Sequence, residues 1–110
     1  MMDVSLDEHP LLEADYFVLE WPDTLEQYET PGPVLALFEP GAEAPMARVE
    51  SLRAAVRDLL RVGGFKPTGR SKPASEYLVK ASESGFLSSI NVVADVCNAV
   101  SLHAGLPISV

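Results

Sequence analysis

The first 44 residues hold no lysine and no arginine, although eleven aspartates and glutamates lie among them. That stretch alone cannot neutralise a phosphate backbone, so any nucleic-acid contact falls to the remainder of the chain. A single cysteine, Cys97, rules out an intrachain disulfide framework, and no Cys/His cluster has metal-ligand spacing. No apolar run approaches the roughly 20 residues that span a bilayer. The N-terminus has acids where a secretory leader needs a basic region. Walker and dinucleotide fingerprints are absent too. These absences point to a cytoplasmic, reduced protein without metal, cofactor or membrane partner.

What is present suits one small domain: 110 residues, 47% hydrophobic and 22% charged. From residue 45 onward eight Lys and Arg accompany five acids, and the whole chain carries a formal net charge of −8. The total disfavours non-specific nucleic-acid binding, yet a basic patch on so polarised a surface can still dock phosphates.

Residues Asp15–Trp21 (Asp-Tyr-Phe-Val-Leu-Glu-Trp) read as a strand closed by Pro22-Asp23. Thr24 to Tyr28 fits a helical turn. After the Pro31-Gly32-Pro33 break, Val34 to Phe38 fits a strand or a short buried helix. Residues 46–62 form the clearest amphipathic helix. Met46, Val49, Leu52, Val56, Leu59 and Leu60 share a face, Pro45 suits the first turn and Gly63-Gly64 the stop. Its polar side sets Arg53, Arg57 and Arg61 four residues apart, a row that can track phosphates or simply face solvent. A turn-rich basic loop, Gly64 to Pro73, carries Lys66, Arg70 and Lys72. A helix over 73–83 follows, with Glu76 and Lys80 spaced as an ion pair and Gly85 beyond its end.

The last predicted helix, 91–104, is apolar on most sides and therefore expected to be largely buried. Asn91, Asp95, Asn98 and Ser101 nevertheless recur at spacings of four, three and three, which places them on one stripe. Buried polar groups must find partners or border a cleft. The Asp95 carboxylate suits backbone N–H groups and a structural role, as does Asn91. The carboxamide of Asn98 donates and accepts at once, and so suits a ligand equally well. His103 belongs in the last turn, where it favours the helix dipole. His9 sits in an acidic N-terminus expected to be mobile over residues 1–14. Cys97 lies on an apolar part of the helix, and no nucleophile shows a triad pattern.

Three blocks carry a resemblance. Ser71-Lys72-Pro73-Ala74-Ser75-Glu76-Tyr77-Leu78, then Ile90-Asn91-Val92-Val93-Ala94-Asp95-Val96-Cys97-Asn98-Ala99-Val100-Ser101-Leu102, then Gly105-Leu106-Pro107 resemble the B3/B4 domain. This is the tRNA-editing module of the phenylalanyl-tRNA synthetase β subunit, and the basic loop looks closer to its freestanding relatives. The likeness covers residues 60–110 and hardly touches 1–59. Ala94 departs from the family's Val–Val–Asp spacing, Cys97 replaces threonine and Leu106 replaces glutamine.

The resemblance implies an α+β (mixed α/β) fold, strands packed with three helices at about 46–62, 73–83 and 91–104. Residues 1–110 would form a single, incomplete domain, the N-terminal half of such a module. Its other half, which in the family supplies a glutamate that recognises the tyrosine hydroxyl, would be a partner, or the chain would self-associate. The implied substrate is mischarged aminoacyl-tRNA, because a hydrophobic pocket cannot strongly reject an isostere with an added hydroxyl. Asn98 matches the pocket asparagine and Asp95 the aspartate before it. Ser109 falls where the family has its pocket histidine, and a hydroxyl does not replace an imidazole. Lys66, Arg70 and Lys72 would meet RNA phosphates. An enzyme of this type is an aminoacyl-tRNA deacylase, not an aminoacylating ligase. The alternative is an RNA- or protein-binding domain that has lost editing.

Overall fold

The structure, a computed structural model, describes residues 4–66 and 72–109. Among these, four helices follow one 3-10 turn at Leu25–Gln27: α1 (Gly32–Ala36), α2 (Glu50–Val62), α3 (Ala74–Glu83) and α4 (Val92–Ala104). No strand occurs among the described residues. The α+β expectation is therefore overturned, and the described fold is all-helical.

The reason lies in Asp15–Trp21. Its composition favours a strand, but a strand needs a neighbour for its N–H and C=O groups. None is at hand here. The segment runs without helix, turn or bend, and every one of its residues is exposed. Trp21 packs edge-on to Tyr28, with ring centroids 4.8 Å apart.

Around α4 the packing is ordered. Asn91 accepts the Ala94 N–H on its side chain at 2.9 Å and so caps the helix N-terminus. At the other end Gly105 adopts a left-handed φ of 78° and returns its N–H to the Ser101 carbonyl at 2.9 Å. Both α1 and α3 lie against α4. The buried apolar set is small: Phe38, Val56, Val92, Ala99 and Leu102.

The ambiguous 34–38 segment is helical through α1, with prolines explaining why. Pro31 and Pro33 fall where a helix has no N–H to lose, and the amides of Val34 and Leu35 both bond the Pro31 carbonyl. A five-residue helix cannot persist alone. Its end is tied down by Ser82 Oγ, which donates to the Phe38 carbonyl at 2.6 Å, and by His103 Nε2, 2.7 Å from the Leu37 carbonyl.

The helix read from residue 46 begins four residues later. Pro45 and Met46 form a bend, Val49 stands at the cap without a side-chain bond, and Glu50 supplies the acid that suits a first turn. Met46 and Val49 are consequently exposed, and of the expected apolar face only Val56 is fully buried. Both α2 and α3 end as the glycines suggest. Phe65 N–H reaches the Leu60 carbonyl and Phe86 N–H the Ala81 carbonyl, each across a glycine of positive φ. These are six-to-one closures that a β-carbon would strain.

Removing the Asn91 cap tests this arrangement. Asn91→Ala should cost about 1 kcal/mol (about 0.5–2), read as a lower denaturant midpoint at unchanged slope. An unchanged midpoint would show that the cap does not hold α4.

Candidate functional site

Of the four polar residues read as a stripe, Asn91 is the cap of α4 and Asp95, Asn98 and Ser101 lie within the helix. Asp95 has no exposed surface. Its Oδ2 accepts hydrogen bonds from the hydroxyls of Thr30 and Ser89, the latter at 2.5 Å, while Oδ1 accepts the Ile90 N–H at 2.8 Å. Burial alone would raise this carboxyl, but the hydroxyls of Ser89 and Thr30 and the Ile90 amide outweigh it and hold Asp95 below its ordinary value. Ser101, almost as deeply buried, donates to the Leu106 carbonyl at 2.6 Å. Asn91 is the cap already described. Asn98 differs: it is half-buried, and its carboxamide makes no hydrogen bond among the described residues.

The other expected site residues do not converge on it. Ser109 is exposed in the chain that leaves α4, and Lys66 is exposed beyond α2. Arg70 lies outside the described residues. Lys72 is half-buried, its backbone N–H donating to the Tyr77 hydroxyl at 3.3 Å. It borders a cleft of about 550 Å³ between α2 and α3, shared with Arg48, Arg53, Ser75, Glu76 and Lys80. Asn98 lines neither this cleft nor a second one of about 590 Å³ that includes Glu39, Arg48, Ser82 and His103.

The arginine row resolves toward ion pairing. Arg57 meets Glu76 with two bonds of 2.8 Å, Arg53 reaches Glu76 and Glu50 at 3.1 Å, and Arg61 meets Asp58 at 2.7 Å. The bond from Arg57 chiefly depresses the Glu76 carboxyl, with Arg53 adding to it, and Glu76 in turn raises Arg57. The expected Glu76–Lys80 pair does not form, because two guanidiniums on α2 occupy the carboxylate instead. A fork-shaped partner gives better geometry than a lysine one turn away.

Histidine and cysteine supply no reacting pair. Since a carbonyl only accepts, His103 Nε2 carries the proton toward Leu37, and the ring caps α1 rather than its own helix. His9 Nδ1 accepts the Leu11 N–H at 3.1 Å. Cys97 is a half-buried free thiol. Among the described residues no group of His, Cys, Asp and Glu could hold a metal ion, and no helix is long and apolar enough to cross a membrane.

Several partners escaped sequence reading. Thr30 meets Asp95 from 65 residues away, with no local signal. Arg48 donates to the Leu102 carbonyl at 2.6 Å and so satisfies the end of α4. Ser89-Ile90 could have been found, since a carboxylate one turn into a helix commonly reaches back to amides just before the cap. Compared with family models, curated proteins and solved structures, the chain matches none.

The Asp95 knot gives a pH signature. A folded-state carboxyl held below its unfolded value contributes stability in full above the ordinary carboxylate range, and loses it as pH falls through the folded value. Glu76 acts in the same direction. Asp95→Ala should therefore be less stable at neutral pH by about 2 kcal/mol, and its stability should fall less steeply on acidification than the wild type's. Equal acid limbs in the two pH–stability curves would sink this assignment.

Proposed function

We propose that the chain is a tRNA-editing-like module of the B3/B4 type, binding the aminoacyl end of a tRNA through Asn98. The observation that carries this reading is the Asn98 carboxamide. It alone of the stripe has no partner among the described residues, while Asn91, Asp95 and Ser101 are spoken for. A half-buried amide with one donor pair and one acceptor free can hold an amino and a carbonyl group together. Asp95 and its hydroxyl partners support the position of the first turns of α4 on which Asn98 depends. Lys72, like Lys66 and Lys80, has no ion pair among the described residues and is available for phosphate; Arg53, Arg57 and Arg61 are paired with acids.

Hydrolysis in this reading is attack by water on a positioned ester, with no covalent intermediate. Asn98 would orient the ester. The second reading, an interaction domain without editing activity, is favoured by the exposed apolar side chains of residues 16–19.

One experiment separates the two. Deacylation of tyrosine-charged phenylalanine tRNA is measured beside salt-dependent binding, with wild type, Asn98→Ala and Lys72→Ala. The editing-like reading expects ester loss above the uncatalysed background. It also expects about tenfold weaker action in Asn98→Ala, the loss of roughly one good hydrogen bond. Lys72→Ala should weaken binding and flatten its salt dependence. Binding without hydrolysis would favour the interaction domain. Neither binding nor hydrolysis would remove tRNA from the account.

A further inference from the structure

The segment Asp15–Trp21 is the largest unmet bonding capacity among the described residues. Its side chains are those that favour strands, and four in succession are large and exposed: Tyr16 at 63%, Phe17 at 80%, Val18 at 56% and Leu19 at 62%. From residue 13 to residue 23 the backbone makes no hydrogen bond among the described residues. Burying these apolar side chains against a helix or a featureless apolar wall would strand the amides and carbonyls between them, each without the hydrogen bond that water now supplies. Pairing with another strand removes the apolar surface and satisfies the extended backbone together.

Charge then selects the strand. Glu13, Asp15, Glu20 and Asp23 flank or interrupt the segment, and no lysine or arginine occurs within the first 44 residues. A second copy is a poor occupant. Antiparallel pairing about Val18 would set Glu13 opposite Asp23, and parallel in-register pairing would set every acid against itself. The chain's own Lys and Arg cannot answer the need either. Those described lie on helices or in loops, and none is on a strand.

We propose that Asp15–Trp21 is a docking strand, one that adds by backbone pairing to the exposed sheet edge of a partner whose edge is rich in Lys and Arg. The alternating side chains Tyr16 and Val18 on one face, and Phe17, Leu19 and Trp21 on the other, would enter apolar positions of that sheet. Flanking carboxylates would meet its cations and set register and orientation. This inference goes beyond the editing reading and does not depend on Asn98.

The test uses the full chain and two synthetic ten-residue peptides, one alternating valine and lysine, the other valine and glutamate. Trp21, the sole tryptophan, reports binding by fluorescence. Amide hydrogen exchange reports pairing. The lysine peptide should bind at least tenfold more tightly than the glutamate peptide, loosen as salt rises, and slow exchange at alternate amides within 15–21. Phe17→Pro and Val18→Pro remove N–H groups on opposite sides of the strand. At least one should lose tenfold in affinity with unchanged helical circular dichroism. Equal binding of the two peptides, absence of alternate protection, or full affinity in both proline variants would overturn the proposal. So would protection of these amides in the peptide-free chain that grows with its concentration, since that would make a second copy the occupant.

Discussion

One buried carboxylate, that of Asp95, ties the segment before α1, through Thr30, to the segment before α4, through Ser89 and Ile90, and the placing of α1 on α4 depends on it. Three donors converge on two oxygens, so the charge is solvated by the protein itself and not by water. The consequence travels outward. With Thr30 fixed at one end and the carbonyls of Leu37 and Phe38 fixed at the other by His103 and Ser82, a helix too short to form alone lies in register along α4. The short apolar list then suffices, because polar ties and not a deep core set the positions of the parts.

The second constraint is electrostatic. Chain-wide charge is strongly negative, but the helical part is balanced within itself: Glu76 takes two arginines, Glu50 a share of one, Asp58 a third. These pairs are partly exposed, so their contribution is modest and specificity is their main effect, locking α2 against α3. A row of arginines at spacings of four looks like a phosphate track only while its counter-ions are out of view. Arg53 and Arg57 form a structural seam between α2 and α3, while Arg61 pairs with Asp58 on its own helix.

Sequence legibility followed the range of the interaction. Two helix stops were legible, because Gly63-Gly64 and Gly85 act within a few residues; the start of α2 and the capping part of Asn91 were not. The recurrence of polar residues near and along α4 was visible in the sequence, but the partners that hold them were not. What failed depended on partners elsewhere. A strand is a relation between two segments, so the composition of Asp15–Trp21 could state a preference but not supply a neighbour. The α+β expectation fell for that reason. Thr30 beneath Asp95, and Glu76 beneath two arginines in place of Lys80, were likewise invisible because nothing local distinguishes a pairing made across the fold.

Among the described residues, the Asn98 carboxamide on α4 and the backbone of residues 15–21 keep hydrogen-bonding capacity without a partner. They differ in kind. A side-chain amide that is half-buried keeps some access to water, so its free state costs little and it can await a small polar ligand. A run of exposed amides beside four large apolar side chains cannot be buried piecemeal, since covering any one of those side chains would desolvate the backbone group beside it. Such a surface is satisfied all at once or not at all. The physical demand on a partner is therefore weak and local at Asn98, extended and directional at Asp15–Trp21. A ligand that satisfied the first would leave the second untouched, so binding at the one would be independent of binding at the other.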